Sequence, residues 1–202
     1  MNDALLTRIA EALERLAPPT ASCADLAAAP AYIWDGHAVH PVQDFAPVDY
    51  DLLTGIDAQK EALLANSARL ADGYAAHDVL LWGARGTGKS AAVAAVVGKL
   101  QQGGRDIALI QCAIDQLASL PSLFAMLRGS DRPFVLFLDD LGFDEQGAGD
   151  ARALRSLLQG GTAARPANVR LYVTSTRRHI VPRHHTPQAA PINPRPVTDH
   201  TL

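Results

Sequence analysis

Gly83-Ala84-Arg85-Gly86-Thr87-Gly88-Lys89-Ser90 spells G-x-x-x-x-G-K-[ST] between an apolar run, Val79-Leu80-Leu81-Trp82, and a helix-forming run from Ala91 to Val97. Such a segment commits the chain to a strand, a tight loop and a helix in succession. The glycines let the backbone turn around phosphate oxygens, while successive N–H groups and the helix N-terminus supply positive potential. A lysine at the seventh position reaches β- and γ-phosphates, and a hydroxyl at the eighth completes a Mg²⁺ shell. Gly83, Ala84, Arg85, Gly86, Thr87, Gly88, Lys89 and Ser90 are therefore expected to contact ATP, with Ser90 also a metal ligand. An ordinary glycine-rich turn with an incidental lysine would need neither the strand before nor the helix after.

The remaining pattern agrees with that constraint. Val79 to Trp82, Ile107 to Cys112, Phe134 to Leu138 and Val169 to Thr174 are apolar or β-branched runs, and helical stretches lie between them at Ser90 to Gln102, Ile114 to Arg128 and Asp150 to Leu158. Near-continuous apolar strands separated by helices predict an α/β fold with a parallel sheet covered on both faces. A further helix is expected from Asp57 to Tyr74, ended by Gly73. The 202 residues, 48% of them hydrophobic, suffice for one core.

Before the core, Leu5, Ile9, Leu13 and Leu16 share one face of a helix from about Asp3 to Leu16, stopped by Pro18-Pro19. From Pro18 to Pro47 the composition turns to Ala, Pro and isolated aromatics and reads as an irregular wrapping segment, so residues 1–48 are set apart and the core is placed at 49–180. From Arg177 onward prolines recur among His, Thr, Gln and Asn, without aromatics or apolar period. Residues 181–202 are expected to be a disordered tail. Its histidines, His179, His184 and His185, lack a carboxylate or cysteine framework that would make a metal site.

The net charge of −3, without a run of Lys or Arg, does not call for nucleic acid or anionic lipid as a partner. No stretch approaches the length of a membrane span and no signal-peptide pattern opens the chain, so a cytoplasmic location is expected. Cys23 and Cys112, without metal-ligand spacing, read as small buried hydrophobes in a reducing compartment.

Phe134-Val135-Leu136-Phe137-Leu138-Asp139-Asp140 is an apolar strand ending in two carboxylates, fifty positions after Lys89. Parallel strands open their C-termini on one edge of a sheet, which brings Asp139 beside the phosphate loop as a ligand for Mg²⁺, direct or through water. Asp140 is then the candidate base that orients or deprotonates the attacking water, with Glu145 as the runner-up. The strand ending Thr174-Ser175-Thr176 puts a hydroxyl at its tip, and Thr176 is the candidate sensor of the γ-phosphate. The catalytic set is thus Lys89, Asp139, Asp140 and Thr176.

Five segments taken together resemble the bacterial AAA+ ATPases classed under "domain of unknown function 815": Asp51 to Lys60, Val79 to Ser90, Phe137 to Leu141, Ala164 to Val169, and Thr174 to His179. The resemblance covers about Tyr32 to Ile180. It implies a P-loop ATPase core of sheet order 5-1-4-3-2, adenine contacted near Ile56, and action as a homo-oligomer with sites at subunit interfaces. Such proteins usually carry asparagine where Thr176 stands. They also continue with a Ser-Asp-Arg-Phe-like arginine-finger segment, a fifth strand and a helical lid, none recognisable after Ile180. The expectation is therefore a chain shortened before these parts, with Val79 to Trp82 left at a sheet edge. Arg165, Arg177, Arg178 and Arg183 are conceivable substitutes for the finger.

These expectations converge on a Mg-ATP-hydrolysing AAA+ ATPase that remodels an unidentified macromolecule. The alternative is a nucleotide-binding interaction module with little or no turnover. A small-molecule phosphotransferase ranks last, because it would need an arginine-bearing lid and an acceptor pocket.

Overall fold

The computed structural model describes residues 25–141 and 165–176. Its elements in chain order are β1 (Ala31–Trp34), β2 (Val39–Val42), a 3-10 turn (Tyr50–Leu52), α1 (Asp57–Ala71), β3 (Val79–Trp82), α2 (Lys89–Gln102) and β4 (Ala108–Cys112). A second 3-10 segment (Ile114–Ser119), α3 (Leu120–Leu127), β5 (Phe134–Leu138) and β6 (Val169–Ser175) complete them. The helices proposed over Asp3 to Leu16 and Asp150 to Leu158, the tail from Arg177, and with them Cys23 and Glu145, lie outside the described residues.

Six strands form one sheet in the order β2-β1-β4-β5-β6-β3. From β4 to β3 every pairing is parallel, with Leu136 opposite Ile110 on one side and Leu171 on the other, and Leu80 opposite Val173. This is the expected order for the four core strands, with the loop-bearing strand β3 last in the row. The helices between them cover both faces, as near-continuous apolar strands require. Alternation along β5 divides its side chains between two cores. Phe134, Leu136 and Leu138 pack with Tyr32, Trp34 and the α3 residues Leu120, Leu123 and Leu127. Val135 and Phe137 pack with Leu63 and Leu70 of α1 and Val93, Val96 and Val97 of α2. Full burial of each such side chain stabilises the fold by roughly 1.5–3 kcal/mol.

Within the segment from Pro18 to Pro47, the described residues depart from expectation at 31–42. Residues 31–42 are an antiparallel hairpin, with Ala31 opposite Val42, and β1 runs parallel to β4, with Ala31 opposite Leu109. The sheet therefore begins ahead of the boundary drawn at Asp49. The physical reason is burial. Tyr32 and Trp34 are each 1% exposed, and their polar tips are satisfied: Trp34 Nε1 donates to Ser119 Oγ at 2.7 Å, and Tyr32 Oη donates to the Asp25 carbonyl at 2.9 Å. Arg132 closes the segment down from the other side, its Nη1 donating to the carbonyls of Leu26 at 2.6 Å and Ala29 at 2.8 Å. Beyond β2 the chain runs along α2. Pro47 crosses α2 so closely that a Cβ on Gly98 would stand 2.5 Å from its Cγ.

The helix expected over Ile114 to Arg128 divides into the 3-10 segment and α3, with Pro121 in the first turn of α3. Proline is tolerated there because the first N–H groups of a helix have no intrahelical partner.

Candidate nucleotide site

The loop between β3 and α2 takes its shape from its glycines. Gly83, Gly86 and Gly88 have φ of 151°, 80° and 79°, values in which a side chain is strained, and Gly88 caps α2 with Lys89 as the first helical residue. Internal bonds hold the turn: Thr87 Oγ1 donates to the Ala84 carbonyl at 2.9 Å, and the Gly83 N–H donates to the Ser175 carbonyl of the adjoining strand at 3.2 Å. Lys89 folds back over the loop, its Nζ donating to the carbonyls of Ala84 at 2.7 Å and Gly83 at 3.0 Å.

Two strand ends meet this loop. Asp139 and Asp140 follow β5, and Thr174 lies near the end of β6. Ser90 Oγ and Thr174 Oγ1 both donate to Asp139 Oδ1, each at 2.5 Å. Thr174 Oγ1 also accepts the Asp140 N–H at 2.8 Å, and the Leu141 N–H donates to the Thr174 carbonyl at 2.7 Å. These bonds fix Asp140 at a φ of 52°, the only positive value among described non-glycine residues. Arg85 Nη2 reaches Asp140 Oδ2 at 3.1 Å. A cavity of about 410 Å³ opens here, lined by residues 85–91 with Asp139, Asp140, Thr174 and Thr176.

The expected loop residues, both carboxylates and Thr176 are thus in one place. Thr176 lines the cavity at the strand tip, but the hydroxyl that organises the carboxylates belongs to Thr174, two residues earlier and 1% exposed. A period-2 reading of the strand puts Thr174 and Thr176 on one face, and that was the available signal. Ser90 and Asp139 offer a hydroxyl and a carboxylate oxygen already in contact. Hard oxygen donors in such a number suit Mg²⁺, which keeps several waters and takes one or two protein ligands beside substrate phosphates.

Residues 27–201 match the family described as "Protein of unknown function (DUF815)". The chain belongs to the DUF815 family. In this DUF815 member the match includes residues 181–201, beyond the point at Ile180 where the motif resemblance was expected to stop. No curated protein matches. Among solved structures, the chain is similar to the RuvB Holliday junction branch migration motor of Thermotoga maritima (21% identity, 69% of this chain and 44% of that one, TM-score 0.44). It is also similar to the Orc1 protein of Aeropyrum pernix in complex with DNA (16% identity, 65% and 44%, TM-score 0.49). AMPPCP-bound DnaA from Aquifex aeolicus is a further neighbour (18% identity, 61% and 39%, TM-score 0.37). The DUF815 chain spans less than half the length of each of these structures. Its own described strands form one mostly parallel sheet with the glycine loop between β3 and α2, an α/β arrangement suited to holding a nucleotide's phosphates.

Ile56 and Arg165 stand outside the lining of the loop cavity in the DUF815 structure. Ile56 is the N-cap of α1, half-buried against the α1–α2 core and outside the lining of the loop cavity. The turn before it is held by a lysine pair: Lys60 Nζ and Lys99 Nζ lie 4.9 Å and 4.3 Å from the centre of the Tyr50 ring, and Lys60 also donates to the Leu53 carbonyl at 2.8 Å. Arg165 is paired with Asp78 at 2.5 Å, just ahead of β3 and so at the opposite end of that strand from the loop. Arg177, Arg178 and Arg183 lie outside the described residues. No helix among the described residues is long and apolar enough to cross a membrane.

Proposed function

We propose that this chain is a Mg-ATP-hydrolysing ATPase whose turnover drives remodelling of a macromolecule, acting as a homo-oligomer. The observation that carries this reading is the convergence of Ser90 and Thr174 on Asp139 Oδ1 at the mouth of the glycine loop. A structural turn has no need of a loop hydroxyl held on a strand-end carboxylate beside an open cavity, whereas a phosphate loop that binds Mg²⁺ with that carboxylate does.

In this reading the N–H groups of residues 83–90 and the start of α2 bind the phosphates. Lys89 exchanges the Gly83 and Ala84 carbonyls for β- and γ-phosphate oxygens, its charge then facing an anion instead of a dipole. Ser90 and Asp139 would hold Mg²⁺, which would supply neutralising charge at the phosphates. Asp140 orients a water on the terminal phosphate and takes its proton as the water oxygen bonds to phosphorus and the bond to the β-phosphate oxygen breaks. Thr174 keeps both carboxylates in register. Thr176 is the candidate hydroxyl contact to the terminal phosphate, and Ile56 the candidate contact to adenine.

The test is a fluorescent-nucleotide titration with phosphate release measured beside it. The parent chain binds ATP, and Lys89→Ala weakens binding by about tenfold or more, as loss of a charge-assisted contact implies. Equal affinity in the two chains overturns the assignment. Binding without phosphate release, in the presence of Mg²⁺, favours the interaction-module alternative.

A further inference from the structure

The mouth of the loop carries a cation that the motif does not require. Position 85 is one of the four free positions of G-x-x-x-x-G-K-S, and in this chain it is arginine. Its guanidinium crosses the cavity to Asp140 Oδ2 at 3.1 Å, joining residues from two separate strand ends. The side chain of Arg85 is 87% exposed and that of Asp140 49%, so water competes for both and the pair exchanges readily for a better-matched anion. The two partners differ in freedom. The Asp140 backbone is pinned through its N–H to Thr174 Oγ1, whereas the Arg85 side chain is held at its tip alone.

The surroundings make the exchange specific. Lys89, the other cation lining the cavity, is turned onto loop carbonyls. A phosphate seated on the loop amides leaves its neighbour toward Asp140, in the space that the Arg85 guanidinium spans. A carboxylate facing that space repels an incoming polyanion, and the paired arginine cancels that repulsion until the anion arrives.

We propose that Arg85 is a cation that distinguishes nucleoside triphosphate from diphosphate by changing partners. Without a terminal phosphate it neutralises Asp140; with one it turns to the phosphate and releases the carboxylate to face water. This rests on the ATPase reading above and adds to it a selective role for a residue the loop motif leaves open. A diphosphate does not reach Asp140 and leaves the ion pair in place.

The experiment uses the full chain with Mg²⁺ and compares ADP with a non-hydrolysable ATP analogue, β,γ-methylene ATP, by fluorescence competition. The chains are the parent, Arg85→Ala, Arg85→Lys, Asp140→Asn and the Arg85→Ala/Asp140→Asn double variant, with thermal unfolding confirming that each is folded. Arg85→Ala is expected to lower affinity for the triphosphate by about fivefold to a hundredfold, the usual span of a coupling free energy, and to lower ADP affinity much less. Arg85→Lys retains part of the preference. Asp140→Asn raises triphosphate affinity more when Arg85 is present than in the Arg85→Ala background, because only then is a competing partner removed. Equal changes for both nucleotides in Arg85→Ala, or the same effect of Asp140→Asn in both backgrounds, overturn the inference while the ATPase reading stands. A folded parent chain that binds neither nucleotide overturns both.

Discussion

Thr174 is committed to Asp139: its buried hydroxyl donates to Oδ1 at 2.5 Å and is itself fixed by the Asp140 N–H. Valine has nearly the same shape and cannot make either bond. Thr174→Val is expected to cost about 1–3 kcal/mol of stability, the penalty for leaving buried polar groups without partners. It should also weaken Mg²⁺-dependent ATP binding more than binding without Mg²⁺. Urea unfolding and paired titrations check this, and Thr174→Ser should recover most of both properties.

The two carboxylates separate in role. Asp139→Asn is expected to reduce Mg²⁺-dependent ATP affinity, because it removes a metal ligand and alters the acceptor shared by Ser90 and Thr174. Asp140→Asn should leave ATP bound and lower phosphate release. Affinity with and without Mg²⁺, measured beside turnover, decides the matter. Identical defects would mean that the two residues act as one unit.

How much of this was legible beforehand depended on whether neighbours in space were also neighbours in sequence. The glycine loop could be read because its eight residues are consecutive, and β4, β5 and β6 because burial on both faces writes uninterrupted apolar runs. The hairpin of β1 and β2 has no clear local signature, because each strand has four residues and the first stands in an Ala- and Pro-rich setting. Its strand character comes from Leu109, Ser119 and Arg132, which no local pattern reveals. Thr176 is legible as the hydroxyl at a strand tip, whereas the role of Thr174 depends on where Asp139 lies, which no local pattern reveals. The Arg85–Asp140 pair had no local signal.

Gly98 should respond to substitution with a sign opposite to that of an ordinary helix glycine. Alanine in a helix interior gains about 1 kcal/mol over glycine, but here the added methyl meets the ring of Pro47. Gly98→Ala is expected to destabilise the chain by about 1–3 kcal/mol, the usual cost of overpacking. Pro47→Ala in the same chain should return part of the loss. Urea unfolding of the two single variants and the double variant checks this.

Cys112 is 2% exposed and burial pushes its thiol up to about 12, with Asp115 adding to the shift. The native thiol should resist alkylation at neutral pH, while unfolding exposes it. The linked effect on stability has a definite sign. The unfolded thiol ionises near 8.5 and the native one does not, so the Cys112 contribution is intact below that pH and falls as pH rises toward 12. Peptide mapping after iodoacetamide treatment separates Cys112 from Cys23, and Cys112→Ala should flatten the alkaline decline in stability.

The far end of the sheet bears on how the molecule comes into being. β1 is made before the strand it rests against, β4, with Ala31 opposite Leu109, and before Arg132, which meets Tyr32 from still later in the chain. Until those residues leave the ribosome, Tyr32 and Trp34 have no core to enter. Contacts so distant in sequence form slowly, and apolar side chains left waiting are where aggregation begins. The hairpin therefore cannot join the sheet when it is made: it waits for β4 and for Arg132, while β3 waits longer still for β6, the strand it pairs with.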